Sequence, residues 1–386
     1  MEFDPTPEQE QLRDAVRSLA RRYGHAYYVQ KAKSGGHTTE LWAEAGRLGY
    51  LGVNIPTEYG GGGGGITELA IVCEEFAAAG CPLLLLVVSP AIVGTILARH
   101  GTEEQRKRHL PGIAAGTEKV VFAITEPEAG SNFHRLATVA RRDGDDWVLS
   151  GRKCFISGVD EAGHILVVAR TEDAATGKLR PALFLVPTDA PGLTRSKLDM
   201  EIVSPENQWM LYLDEVRLPA EALVGGDPAA GLPALFAGLN PERITVAAMG
   251  IGTARYALER ATEYAGRRSV WGRPIGAHQG IAHPLAHAAI QVELAKLMVA
   301  KAAARYDAGR DLEAAVAANM AKYASSEAAT LAVDTAIQAH GGNGMTTEYG
   351  VATLLGGVRA ARIAPVSREM ILNFVAQHVL GLEKSY

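Results

Sequence analysis

Between Glu118 and Gly226 the hydrophobic period of the chain changes, and that change constrains the fold more than any other feature. Trp147-Val148-Leu149, His164 to Ala169 and Ala182 to Val186 are short and rich in β-formers, with Asp-Gly, Ser-Gly, Thr-Asp and Pro-Gly turns between them. No helical stretch separates them, which predicts a compact β-domain and disfavours a doubly wound nucleotide fold. On either side the pattern is helical. Thr6-Pro7-Glu8-Gln9 reads as a helix start, with a cap, a proline at the first helical position and a glutamine placed for a capping box. Leu12, Val16 and Leu19 follow at helical spacing, and similar starts stand at Thr39 and Thr102. Beyond the β-rich part, Glu242 to Arg267, His278 to Arg305 and Leu312 to His340 are Ala-rich and long enough for an antiparallel bundle. The expected architecture is mainly α with an inserted β-domain. It comprises an N-terminal helical domain over 1–117, a middle β-barrel or sandwich over 118–230 and a C-terminal four-helix bundle over 231–386.

Composition removes several classes of function. A chain of 386 residues with 47% apolar content can bury a large core. Its formal net charge of -5 is spread over both halves without a basic block, so nucleic acid is excluded as a partner. Cys73, Cys81 and Cys154 have neither zinc-site spacing nor the even count of a disulfide framework, and a reducing cytoplasm is expected. The start Met-Glu-Phe-Asp carries no basic n-region, so no secretory signal is expected. The apolar run from Cys81 to Ala98 is interrupted by Pro82, Ser89, Pro90 and Gly94, which predicts a buried helix pair and no transmembrane span. The six glycines Gly60 to Gly65 precede no Lys-Ser or Lys-Thr and read as a flexible surface loop rather than a phosphate cradle. Gly250-Ile251-Gly252 lies inside a helical pattern and is no dinucleotide fingerprint.

Phe122-Ala-Ile-Thr-Glu-Pro-Glu-Ala-Gly-Ser131 resembles the Thr-Glu-Pro-x-Ala-Gly-Ser stretch of the acyl-CoA dehydrogenases. Gly151-Arg-Lys-Cys-Phe-Ile-Ser157 and Asp214-Glu-Val-Arg-Leu-Pro219 come next, in the family's order. Arg268-Ser-Val-Trp-Gly272, His278-Gln279 and Gln338-Ala-His-Gly-Gly-Asn-Gly344 extend the resemblance over nearly the whole chain.

The resemblance implies FAD between the β-domain and the C-terminal helices, with an acyl-CoA thioester on one face of its ring. The backbone around Ile124 and Thr125, with the Thr125 hydroxyl, would bond the polar edge of the ring and stabilise charge on the reduced flavin. Ser131 would bind the pyrophosphate, Phe155 would pack on the ring, and the Ser157 hydroxyl would reach N5. The resemblance also assigns Phe122, Gly130 and Ser367 to the cofactor. Arg268, Trp271, Gln279, Gln338, Gly341 and Gly342 would hold the adenosine-diphosphate part of FAD. In the family that part belongs largely to a neighbouring subunit, which implies a homo-oligomer, a tetramer or a dimer. Taken singly, each residue also has a structural reading: Thr125 and Ser131 as turn residues, Gly341 to Gly344 as a helix end, Arg268 as a solvated charge, Trp271 as a core aromatic and Phe155 as an inward strand residue. Their joint order favours the cofactor.

Removing a proton beside a thioester requires a positioned carboxylate. The family's common C-terminal glutamate is absent, since counting from Gln338 places Pro365 there, in Ile363-Ala-Pro-Val-Ser367. Members of the isovaleryl and long-chain types carry the base before an arginine at the start of a long helix. Glu242-Arg243 matches that pattern, which assigns Glu242 as the base and Arg243 as its charge partner. Asn240-Pro241-Glu242 is equally a good helix start, with a cap, a proline and an acid favoured by the dipole. Pro365 also has no N–H to give the thioester carbonyl, a donor typically worth about 3 kcal/mol. Either Val366 serves instead, or the flavin ribityl hydroxyl carries more of the load, or the substrate differs. Asn132 and Glu206-Asn-Gln208 depart from the family's Asp and Ser-Asp-Thr.

Three activities fit these residues. The first is α,β-dehydrogenation with electrons passing to an electron-transfer flavoprotein. The second is an oxygen-using flavoenzyme of the same fold, of the acyl-CoA oxidase, nitroalkane oxidase or flavin monooxygenase type. The third is a catalytically silent flavin-binding subunit.

Overall fold

The computed structural model describes residues 5–173 and 176–384. Six helices lead: α1 (Pro7–Ser34), α2 (Thr39–Arg47), α3 (Ile66–Ala78), α4 (Leu84–Leu86), α5 (Thr95–His100) and α6 (Glu103–Ala115). The capping boxes form as the sequence dictates. The Thr6 hydroxyl accepts from Gln9 N–H and the Gln9 side chain accepts from Thr6 N–H, and Thr102 and Gln105 repeat the exchange. Thr39 is instead the first helical residue, and Thr38 before it makes no side-chain cap.

The apolar run expected as a helix pair is one unbroken helical run over 84–100. Its middle, Val87–Gly94, is π-helical and wholly buried. Pro90 supplies no N–H to the ladder, and the wider π-turn absorbs that loss without breaking the helix. The glycine run is a surface loop, but a tied one. Gly62, Gly63 and Gly64 donate their N–H groups to the carbonyls of Gly52, Ile55 and Val53. At Gly61 a Cβ would stand 2.1 Å from the Ile55 carbonyl oxygen, so only glycine fits. The N-terminus of α3, just beyond the loop, is filled by the Asp307 carboxylate, which accepts from Ile66 N–H at 2.8 Å and Thr67 N–H at 2.9 Å.

Helix α3 lies at the centre of the helical layers. Its Glu75 is fully buried and takes Arg13 at 2.5 Å and Arg17 at 2.9 Å from α1, and Arg255 at 2.7 Å. Burial alone would raise this carboxyl, but the arginines outweigh it and hold the pKa at about 2.

Seven strands then form one curled sheet: β1 (Val120–Ala123), β2 (Val139–Asp143), β3 (Asp146–Ser157), β4 (His164–Glu172), β5 (Leu179–Pro187), β6 (Leu193–Leu198) and β7 (Gln208–Leu218). The order is β1-β4-β2-β3-β7-β6, with β5 also on β4. β1 runs parallel to β4, and the β2–β3, β3–β7 and β6–β7 pairs are antiparallel. A partly buried cluster joins the sheet to the leading helices: His109 on α6 and His164 on β4 both direct Nδ1 to the same Glu118 oxygen, at 2.8 and 3.0 Å.

The C-terminal part contains α7 (Gly231–Arg267), the small hairpin β8 (Ser269–Val270) and β9 (Arg273–Pro274), α8 (Gln279–Asp307), α9 (Asp311–His340), α10 (Leu355–Ala360) and α11 (Arg368–His378). Three long helices pack as an antiparallel bundle, and the short α11 lies on α9. One expectation is corrected here, because α7 begins at Gly231 and Asn240-Pro241-Glu242 lies inside it. Pro241 cannot donate to the Ala237 carbonyl one turn back, and the Tyr306 hydroxyl on α8 fills that acceptor at 3.0 Å. Asn240 caps nothing. Its side-chain amide donates to the Asp311 carbonyl at the start of α9, at 3.2 Å. Among the described residues no helix is long and apolar enough to cross a membrane.

Candidate active site

The segment after β1 carries Ile124 and Thr125, and a buried ion pair holds it in place. Lys153 on β3, with no exposed surface, donates to the Ile124 carbonyl at 3.0 Å and to Glu126 Oε1 at 2.8 Å. The Glu126 carboxylate also accepts from Ala137 N–H at 2.6 Å and Thr138 N–H at 3.0 Å, and the Thr125 carbonyl accepts from Cys154 N–H at 2.9 Å. The loop from 124 to 138 is thus drawn around one satisfied charge pair. Burial lowers the Lys153 pKa to about 8, against the opposing pull of Glu126. Phe122 on β1 is buried beneath, and Gly130 and Ser131 are exposed on the loop. Among the described residues the Thr125 hydroxyl meets no hydrogen-bond partner.

The pairing of β3 with β7 shifts register between Lys153 and Ile156, and Phe155 there adopts φ of 57°. The irregularity turns a large aromatic ring out to 58% exposure. Such a conformation costs a non-glycine residue energy and persists where the surroundings over-determine it. Ser157 stands at the end of the strand, facing Gln208 across the ladder.

Glu242 and Arg243 are both half-buried on α7. Among the described residues the Glu242 carboxylate accepts no hydrogen bond. Burial raises its pKa to about 7, although the charges of Arg243 and Lys322 pull it down. The two neighbours form no direct ion pair, and Arg243 acts on Glu242 through its field alone. Its Nη1 donates to the Leu239 carbonyl at 3.2 Å and reaches Asn240 Oδ1 at 3.4 Å, while among the described residues its buried Nε has no partner. Lys322 on α9, only 1% exposed, donates to the Val366 carbonyl at 2.5 Å. It thereby pins the Pro365 segment to α9, and Ser367 caps α11 by accepting from Met370 N–H. Phe133, just past Ser131, packs edge-on to Phe236 at 6.4 Å, which sets the loop against the N-terminal part of α7.

The remaining cofactor candidates gather at the other end of the bundle. Arg268 comes directly after α7, Trp271 tips the small hairpin at φ of 51° and 89% exposure, Gln279 opens α8, and Gln338, Gly341 and Gly342 end α9. Tyr264 binds these ends together, stacked on His340 at 4.4 Å and accepting from the Asn343 side chain at 2.9 Å. At about 1.5 Å of rise per residue, Arg268 lies roughly 40 Å along α7 from Glu242. Arg268, Trp271, Gln279, Gln338, Gly341 and Gly342 thus lie at the end of the bundle far from Glu242, whereas Phe122, Ile124, Thr125, Gly130, Ser131, Phe155 and Ser157 belong to the sheet and its loop.

The residues fit a flavin. An exposed ring held in a strained backbone, a serine hydroxyl two residues on and an unpartnered threonine hydroxyl offer a face and a hydrogen-bonding edge to a planar polar heterocycle. Four participants escaped sequence reasoning: Glu126, Lys153, Gln208 and Lys322. A glutamate and a lysine within two matched motifs signalled the first pair, whereas Lys322 in an Ala-rich helix gave no signal.

Comparison with known proteins identifies the scaffold. The family model described as the acyl-CoA dehydrogenase N-terminal domain matches residues 6–117, the middle domain 121–215 and the C-terminal domain 229–380. Acyl-CoA dehydrogenase FadE12 of Mycobacterium tuberculosis H37Rv is 62% identical over 100% of this chain and 99% of its own length. The probable acyl-CoA dehydrogenase YngJ of Bacillus subtilis is 36% identical, over 98% of this chain and all of its own. A solved glutaryl-coenzyme A dehydrogenase in complex with glutaryl-CoA superposes with a TM-score of 0.94 at 30% identity, covering 100% of this chain and 98% of that one. With a full-length match of this kind and the same order of domains, the chain belongs to the acyl-CoA dehydrogenase family of oxidoreductases.

Proposed function

We propose that the protein converts an acyl-CoA thioester to the trans-2-enoyl-CoA with FAD, and that Glu242 is the base. The observation carrying this reading is an unpaired, half-buried carboxylate whose pKa stands at about 7 between two cationic side chains. A base poised near the working pH combines a large ionised fraction with real proton affinity. The Glu242 carboxylate takes the proton from the carbon beside the thioester carbonyl as the neighbouring carbon gives up a hydride, and a double bond forms between the two. FAD supplies the two-electron acceptor for that hydride, and an electron-transfer flavoprotein takes the electrons onward. Phe155, Ser157, Thr125 and Ser131 hold the flavin on the β-domain side, with Phe122 and Gly130 shaping the loop.

Arg268, Trp271, Gln279, Gln338, Gly341 and Gly342 hold the nucleotide half of the flavin bound to a second copy. The roughly 40 Å of α7 between Glu242 and Arg268 supports this division, as does the exposed apolar row Ile290, Leu294 and Leu297 on α8. The units of the chain on this reading are 1–117, 118–230 and 231–386. Pro365 leaves the thioester carbonyl without the family's usual backbone donor, and the N–H of Val366 takes that place beside Lys322.

Anaerobic titration with a panel of acyl-CoAs tests the proposal. Bleaching of bound flavin by a thioester, lost in Glu242→Gln, is the outcome it requires, and no bleaching by any thioester overturns it. A second reading draws on the prolyl acyl carrier protein oxidase AnaB, which superposes with a TM-score of 0.91 at 26% identity. Rapid peroxide formation in air supports that alternative.

A further inference from the structure

Ser157 and Gln208 stand opposite each other in the antiparallel β3–β7 ladder. Both ends of the Gln208 amide lie within hydrogen-bond reach of the single Ser157 hydroxyl, Nε2 at 2.9 Å and Oε1 at 3.0 Å. Among the described residues neither side chain has another hydrogen-bond partner. The flanking residues are anchored on the opposite side, where Asn207 Nδ2 donates to Asp160 Oδ2 at 2.6 Å and Trp209 Nε1 donates to Asp160 Oδ1 at 3.1 Å. Alternation along the strand sends those two side chains to one face and Gln208 to the other. The amide is thus held against the hydroxyl by a rigid backbone and serves nothing else.

A hydroxyl has one proton to give and two lone pairs. When Gln208 Nε2 donates to Ser157 Oγ, the serine proton is free to donate outward. When the serine proton turns to Gln208 Oε1, a lone pair faces outward instead. The exchange requires only rotation of the hydroxyl, because the amide already presents both a donor and an acceptor. A ring nitrogen such as flavin N5 accepts a hydrogen bond when oxidised and donates one when reduced. We propose that Gln208 is a positioning residue that makes Ser157 a two-way hydrogen-bond partner for the flavin edge, so that the hydroxyl suits both oxidation states. This rests on the flavin reading above, and it explains a departure of Glu206-Asn-Gln208 from the family's Ser-Asp-Thr.

A double-mutant cycle on the FAD-loaded protein tests it, with Gln208→Leu, Ser157→Ala and the pair, each checked for folding by circular dichroism. Should Gln208→Leu not fold, Gln208→Met takes its place. The readouts are the FAD dissociation constant and the flavin midpoint potential. Gln208→Leu is expected to weaken FAD about fivefold, in line with one ordinary hydrogen bond, and to have no further effect once Ser157 is alanine. Because both oxidation states lose alike, the potential moves by less than about 10 mV. A fivefold loss confined to one state shifts it by roughly 20 mV and overturns the two-way role. Additive losses in the cycle overturn the action through Ser157. Failure of the unmodified protein to take up FAD overturns the flavin reading itself, a result distinct from either.

Discussion

Lys322 donates its ammonium to the Val366 carbonyl at 2.5 Å, and its charge also reaches Glu242. One side chain thereby ties the C-terminal segment to α9 and restrains the rise in the candidate base's pKa. Burial has already brought Lys322 down to about 8, with the charge of Arg243 adding to the fall. Lys322→Met removes the cation, so the Glu242 pKa climbs further above about 7. The acidic limb of the kcat–pH profile should then move upward by about one unit, and the profile in steady-state assays is the check. An unmoved limb with unchanged kcat separates Lys322 from the base.

Glu242 should cost the fold stability. Its folded pKa of about 7 exceeds the ordinary value of 4.5, so the native state holds the proton more tightly than the unfolded chain. The associated stability is present below pH 4.5 and drains away as pH rises to 7. Glu242→Gln removes the ionisation. It should raise the melting temperature at pH 8 by a few degrees, on the order of 1 kcal/mol, with no gain at pH 4.5. Thermal melts of both proteins at the two pH values decide it, and equal melting at pH 8 contradicts the perturbed carboxyl.

The Glu126–Lys153 pair should be strongly coupled. Lys153→Met leaves a buried carboxylate facing two backbone donors and should cost about 3–5 kcal/mol. Replacing both with Lys153→Met and Glu126→Gln should cost distinctly less than the sum of the single changes. Urea unfolding of the four proteins measures the coupling. Additive single effects show that the pair does not act as a unit.

Tyr306→Phe strips the hydroxyl from the Ala237 carbonyl and leaves an orphaned acceptor inside the bundle. The expected cost is about 1–3 kcal/mol with little change in shape. Introducing Pro241→Ala as well restores a helical N–H to that carbonyl, so the Tyr306→Phe penalty should shrink in that background. An undiminished penalty argues that Tyr306 stabilises by packing alone.

Much of the fold was legible because its signals are local. Thr6 with Gln9, and Thr102 with Gln105, declare helix starts within four residues, and the structure realises both boxes. The β-rich middle announced itself through period and turns. Asn240-Pro241 misled for the same reason, because a cap followed by proline looks identical at a helix start and in an interior. What decides between them is Tyr306, on a different helix and beyond the reach of any window. The flavin-side candidates were found by motif order, but what holds them was not. Lys153 and Glu126 meet only when β3 folds beside the loop, and Gln208 meets Ser157 only when the β3–β7 register is set. Lys322 is one cation in an alanine-rich stretch, with meaning conferred solely by what α9 faces.

Helix α7 runs unbroken from Gly231 to Arg267, with Glu242 in its first third and Arg268 just past its end. Each residue inserted into a helix rotates the downstream part by about 100° and advances it by about 1.5 Å. The stretch between acid and arginine thus tolerates substitution far better than any change of length. On the two-copy reading proposed above, a single insertion or deletion there would swing the end that carries Arg268 out of register with a second copy, even though no functional side chain had been altered.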